Sequence, residues 1–356
     1  MATPQLGPSA KALAKFEESF SKSFGADVLR RTDPAARYDV IPTGSLELDY
    51  ALGVGGYVRG RLSEFYGPTG SGKTTMSLIA VAEAQKTYPQ EMVGFIDMEH
   101  TYDPLWALEH GVDAKRLYLV QPSTAEDVAD VLKEMTEAGF FSTIVVDSIG
   151  AMIPKAEMEK NAEDEVVGKY AKIITRMVKI STVQAHKYNV AVILINQLRA
   201  IIGATMPGAK KTTRPGGFAL THATTTVLKF GRSDAPVTIG TDDSKVEVAQ
   251  EISVQVEKNK VAPARRVAKI LLVHKETSKY GPVGIDRLGE AASLGKKTGV
   301  IVAAGAWYTL PDKSRHQGME AVKAHLREHP SLVEQIRKRA LATVADKIVQ
   351  NPIEEG

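Results

Sequence analysis

Cysteine is missing from this 356-residue chain. A disulfide-stapled secreted fold and any thiolate metal site are therefore excluded, and a reducing cytoplasm is the expected compartment. Long apolar runs are missing too. None reaches the roughly 20 residues a membrane-spanning helix needs, and no signal-peptide pattern precedes Lys11, so no membrane partner is expected. A dominant charge is also lacking: 45 Lys and Arg against 42 Asp and Glu leave +3. Total charge thus gives no argument for nucleic-acid binding, which would have to come from local patches. Internal repeats and low-complexity tracts are absent. What remains is 43% apolar and 24% charged, enough to bury a full core in one large domain with appendages, or in two domains.

Leu13, Phe16, Phe20 and Phe24 recur at helical spacing over residues 9–24, and Gly25 follows as a stop. A polar, Pro-containing link runs to residue 36. A lone amphipathic helix has no core of its own, so its stripe must dock on this chain or on a neighbouring copy. Strands are expected at Leu62–Tyr66, Met92–Asp97, Leu117–Val120, Thr143–Asp147, Val190–Asn196, Thr225–Phe230, Glu251–Lys258 and Lys269–His274, with helices at 73–87, 124–139 and 167–188. Continuous Val/Ile runs separated by helices predict an α/β fold around a buried, mostly parallel sheet. The last two strands lack an intervening helix and read as an antiparallel extension. Beyond about residue 282, helices at 286–298, 317–328 and 331–349 surround "GAWYTL" and read as a small C-terminal domain. The expected division is 1–36, 37–281 and 282–356.

Gly67-Pro68-Thr69-Gly70-Ser71-Gly72-Lys73-Thr74, followed by Thr75, fits the P-loop pattern between a strand and a helix. Glycines let successive backbone N–H groups converge on an anion, and the helix beginning at Lys73 adds its positive end. Lys73 would reach the β- and γ-phosphates of a nucleoside triphosphate and the Thr74 hydroxyl would ligate Mg2+. Asp147 ends an apolar strand as the second Mg2+ ligand should, and Glu99 ends another strand at the same crevice. Glu99 is the candidate for orienting and deprotonating the attacking water. His100 reads as a structural neighbour.

"IPTGSLELDYALGVGGYVRGRLSEFYGPTGSGKTT", "FIDMEHTYDPLWA", "IVVDSIGAMIPKAE", "LINQLRAIIGA", "KNKVAPARR" and "GAWY" together resemble the bacterial RecA recombinase family, in its order and spacing, over roughly residues 40 to 310. The resemblance implies a P-loop NTPase core of RecA type with a twisted sheet, an N-terminal oligomerisation helix and a small α+β C-terminal domain. It also implies a DNA-dependent ATPase that forms helical filaments on single-stranded DNA and exchanges strands with a homologous double-stranded DNA. The alternative with the same core is a hexameric helicase-type motor, which would form closed rings.

Residue by residue, the resemblance makes Glu99 the water-activating acid and places Asp103 and Trp106 at the adenine. It makes Gln197, after Asn196, a γ-phosphate sensor that signals to a DNA loop. Lys258 and Lys260 would reach the ATP of the adjacent subunit. From the residues alone, Trp106 could equally be half-buried on a helix, Gln197 a capping residue, and the two lysines a solvated strand face.

Two long loops, about 154–168 and 198–217, are expected to face DNA. The second carries Arg199, Lys210, Lys211, Thr212, Thr213, Arg214, Gly216 and Gly217, a set suited to phosphate contacts without base preference. By the resemblance, Val167 and Ile202 wedge between base triplets. Lys172 and Lys179 stand where the family has arginines, keeping the charge but losing the bidentate fork. Other departures are an acidic first loop (Glu157, Glu159, Glu163, Asp164, Glu165), Val273 for an aromatic, His222 for an interface phenylalanine, and only two acids, Glu354 and Glu355, at the chain end. Arg337-Lys338-Arg339 reads as a duplex-capture patch or as a solvated helix face.

Overall fold

In the computed structural model, residues 9–25, 28–29, 37–159, 166–200, 212–240 and 244–350 are described. Two compact units result, residues 1–38 and 39–356.

In the first, the helix Ala10–Phe24 opens with the Ser9 hydroxyl accepting from the Ala12 N–H and closes at Gly25, whose φ of 97° a side chain would resist. Its rings line up one turn apart, Phe16 5.6 Å from Phe20 and Phe20 4.7 Å from Phe24.

The second unit is built on one large sheet. Its strand order in space is Gly284–Ile285, Val267–Val273, Val246–Asn259, Thr226–Arg232, Leu62–Gly67, Ala191–Gln197, Phe141–Asp147, Met92–Asp97 and Leu117–Val120, with Val237–Ile239 added on Val246–Asn259. From Thr226–Arg232 to Leu117–Val120 all neighbours pair in parallel. From Thr226–Arg232 the other way they pair antiparallel, as the missing helix between the last strands predicts. Successive residues face opposite sides of the sheet. Val145 therefore joins Phe65, Met76, Phe95 and Phe230 in one core under the helix Lys73–Thr87. Ile144 and Val146 join Leu132, Met177 and Leu194 in a second core under the helices Ala125–Glu137 and Val166–Tyr188.

The predicted elements reappear within a few residues of their expected ends. Four short helices, Leu46–Leu52, Pro104–Glu109, Lys155–Glu159 and Gly217–Ala223, were not anticipated. Each is under two turns long, too short to display a period.

A third core gathers Leu294, Val322, Leu326, Ile336 and Ala340 from the helices Arg287–Thr298, Met319–Glu328 and Pro330–Gln350, with Ile301 from the turn after the first of them. A three-stranded antiparallel sheet, Val302–Ala304, Trp307–Thr309 and Arg315–Gln317, lies in the same stretch. Leu46 packs into this core, and Glu290 accepts from the Ser45 hydroxyl and the Leu46 N–H at 2.7 Å each. Arg337 does not extend a basic patch: its Nε donates to buried Asp49 at 3.0 Å and its Nη2 to the Gly55 carbonyl at 3.2 Å. Lys338 and Arg339 are exposed.

Candidate nucleotide site and the second loop

Strand register assembles the site. Parallel pairing sets Gly67 beside Gln197 and Asp97 beside Asp147, so four strands end at one crevice. Loop 67–72 then turns into the helix Lys73–Thr87. Gly72 caps that helix in the left-handed region (φ 83°), and a Cβ on Gly67 would sit 2.4 Å from the Phe230 carbonyl oxygen. Both positions demand glycine for steric reasons.

A cavity of about 180 Å3 lies here, lined by residues 69–75 with Glu99, Asp147, Ile195 and Gln197. Larger clefts, of about 450 and 490 Å3, lie beside Glu290 and along the helix face of Lys172 and Lys179. What distinguishes the smaller one is the glycine-rich loop and helix start that line it beside Lys73, Glu99 and Asp147.

Lys73 Nζ donates to the carbonyls of Gly67 (3.2 Å) and Pro68 (2.8 Å), and burial lowers its pKa. The Thr74 hydroxyl donates to Asp147 Oδ2 at 2.7 Å. Burial pushes the Asp147 carboxyl up to about 6, with the charges of Glu99 and Asp97 adding to the rise and the Thr74 hydrogen bond opposing it. Glu99 Oε1 accepts from the Ser148 hydroxyl at 2.6 Å and from the Gln197 side-chain amide. Ser148 and Asp97 were missed by the sequence reading. Asp97 accepts from the backbone N–H groups of Glu99 and Tyr102 and from the Gln121 amide, fixing the turn that carries Glu99. An acid two residues before Glu99 on the same strand end was the available signal.

Asp103 and Trp106 lie outside this cavity. Asp103 caps the helix Pro104–Glu109 by accepting from the N–H groups of Leu105 and Trp106. Trp106 sits on that helix, with its ring 4.4 Å from His110 and 6.4 Å from His274.

Lys258 and Lys260 turn towards their own chain. The Lys258 ammonium donates to the carbonyls of Thr221 and Thr224, and that of Lys260 to His222 at 2.8 Å. Cations thus meet the negative end of the helix Gly217–Ala223. Burial and the charge of Lys260 lower the Lys258 pKa. Val273 is buried in the sheet core.

Both expected loops are shorter than predicted. In the first, Lys155–Glu159 is a helix and Val166 already begins the long helix, so Val167 is helical; residues 160–165 lie outside the described ones. In the second, Arg199–Ala200 pairs antiparallel with Thr212–Thr213, and Gly216 (φ 91°) caps a helix that starts at Gly217. Ile202, Lys210 and Lys211 lie outside the described residues. Arg199 Nη2 donates to the Gly150 carbonyl at 2.6 Å. Lys172 and Lys179 share an exposed face of the helix Val166–Tyr188 with Arg176.

Residues 10–278 match the family model of the RecA N-terminal domain, and residues 289–345 that of the RecA C-terminal domain. The chain belongs to the RecA family. It is 37% identical over 341 residues to Protein RecA of Thermus aquaticus, spanning 95% of this chain and 96% of that protein. Protein RecA from a strain of Thermus thermophilus is 36% identical over 348 residues, spanning 97% and 98%. A crystal structure of the RadB recombinase aligns with 65% of this chain and 95% of its own at 22% identity and a TM-score of 0.48, a likeness too loose to add to the RecA assignment. Among the described residues, no helix is long and apolar enough to cross a membrane.

Proposed function

We propose that this RecA-family chain is an ATP-dependent homologous recombinase. It forms a helical filament on single-stranded DNA in the cytoplasm and pairs that strand with a homologous duplex, and DNA stimulates its ATP hydrolysis. The observation that carries this reading is Glu99, hydrogen-bonded to both Ser148 and Gln197 in a cavity shared with Lys73, Thr74 and Asp147. An acid for water, a cation for phosphate and a hydroxyl–carboxylate pair for a metal are the parts phosphoryl transfer needs.

Backbone N–H groups of residues 67–72 and the helix N-terminus hold the phosphates, with Lys73 on the β- and γ-oxygens. Thr74 and Asp147 fit Mg2+: their oxygens meet at 2.7 Å beside the phosphate loop, and Asp147 shares its surroundings with two further acids that a divalent cation offsets. Bound there, Mg2+ neutralises charge on the phosphate oxygens. Glu99 takes the proton of the attacking water. Gln197 shares that carboxylate and senses the γ-phosphate. Asp103 and Trp106 flank the adenine; His274 beside Trp106 follows the strand whose Leu272 abuts Gly72.

Lys258 and Lys260 serve the nucleotide of the neighbouring copy, adding charge that a lone subunit lacks. Residues 1–36 pack protomers through the Phe16–Phe20–Phe24 stripe, residues 37–281 form the ATPase core, and residues 282–356 form the C-terminal domain. Lys172, Lys179, Arg199, Gly216 and Gly217 contact DNA phosphates, and Val167 and Ile202 wedge between bases. Negative-stain microscopy of the full chain with single-stranded DNA and a slowly hydrolysed ATP analogue tests the reading. Helical polymers are expected; closed rings, or no assembly, would refute it.

A further inference from the structure

Arg214 has the composition of a phosphate contact, a cation at the end of a DNA-facing loop. Its surroundings say otherwise. Nη1 lies 3.3 Å from Glu64 Oε2 and 3.4 Å from Glu257 Oε2, and the guanidinium lies 4.3 Å over the Tyr66 ring. Two carboxylates and an aromatic face occupy it, and its side chain is 24% exposed.

Glu64 is fully buried in the central strand. Burial raises its pKa, and the Arg214 charge and the Asn196 hydrogen bond oppose the rise. Its other oxygen accepts from Asn196 Nδ2 at 3.0 Å. The same amide nitrogen donates to the Pro215 carbonyl at 2.9 Å, and Asn196 Oδ1 accepts from the Gln197 N–H at 3.0 Å. Gln197 in turn holds Glu99. On the other side, Glu257 accepts from the Tyr66 hydroxyl at 2.9 Å and precedes Lys258, which holds the helix that opens just after Arg214.

We propose that Arg214 is a positioning residue: it clamps the outgoing stem of the second loop onto Glu64, so that the state of the loop reaches the Glu99–Gln197 pair through Asn196. The inference rests on the recombinase reading and adds to the Gln197 contact a second tie between loop and nucleotide site. A buried carboxylate left without its cation is costly. Movement of the stem therefore either carries Glu64 and Asn196 with it or is resisted by them.

The test uses the full-length chain and Glu64→Gln, Arg214→Ala, Arg214→Lys and the Glu64→Gln/Arg214→Ala double variant. ATP hydrolysis is measured with and without single-stranded DNA, and binding to that DNA over a salt series. The expected result is a fall of about fivefold or more in the DNA-stimulated rate for Glu64→Gln and Arg214→Ala, partial recovery in Arg214→Lys, and a double variant no worse than either single. Hydrolysis without DNA should stay within about twofold for Glu64→Gln, a ratio that loss of folding would not produce. The slope of log affinity against log salt should not change for Arg214→Ala. A slope smaller by about 0.7 in Arg214→Ala, the value of one single-strand phosphate contact, with Glu64→Gln like wild type, would overturn the proposal and make Arg214 a DNA ligand. Unchanged stimulation in all variants would also overturn it. A wild-type chain that DNA does not stimulate would instead overturn the recombinase reading, and this inference with it.

Discussion

Glu99 and Gln197 meet across the ends of two strands that are not neighbours in the sheet, and share one hydrogen bond on the carboxylate oxygen that Ser148 also holds. If Glu99 is the proposed general base, neutralising it has a distinctive signature. Glu99→Gln keeps the shape and the Ser148 contact but cannot take a proton. Steady-state ATP hydrolysis should fall by roughly 100-fold or more, with nucleotide affinity within a few-fold of wild type. Unchanged turnover would remove Glu99 as the base.

Arg199 carries the clearest DNA prediction. It is exposed, and its guanidinium donates to the Gly150 carbonyl. Arg199→Ala should weaken single-strand binding and reduce the salt slope by about 0.7, as should Lys172→Ala and Lys179→Ala. A fluorescence titration over salt concentration measures this, and an unchanged slope excludes the residue concerned.

Arg337, Lys338 and Arg339 are adjacent in sequence and opposite in consequence. Arg337→Ala strands buried Asp49, whose carboxyl burial already pushes up to about 6 against the opposing Arg337 charge. It should cost about 3 kcal/mol. Lys338→Ala and Arg339→Ala, on the exposed side, should stay within about 0.5 kcal/mol. Chemical denaturation of the three variants separates them.

Glu290 predicts the pH dependence of stability. Burial raises its pKa to about 8 from 4.5, the charges of Glu47 and Asp49 add to the rise, and hydrogen bonds from Ser45 and Leu46 oppose it. Lys297 faces Glu47 and Arg337 faces Asp49 across the same joint. Because the folded chain keeps a proton that the unfolded chain releases, its contribution favours folding at low pH and is lost as pH rises from about 4.5 to 8. Glu290→Gln cannot ionise, so its melting temperature relative to wild type should rise across that window. Parallel pH profiles of the two proteins would refute the assignment.

The P-loop, the two strand-end acids, the main strands and helices, and the antiparallel edge were legible because each is a local pattern: a glycine spacing, an apolar run, a 3.6-residue period. The amphipathic face of the helix Ala10–Phe24 was legible for the same reason. What a cation is used for was not. Arg199 and Arg214 read alike in the chain, as do Arg337 and Lys338, because charge belongs to the residue while its partner belongs to the packing. Only the tertiary structure, by bringing Glu64 and Asp49 within reach across 150 and 288 positions of sequence, decided that Arg214 and Arg337 face buried carboxylates of their own chain. The desolvation of those buried carboxylates is the physical reason.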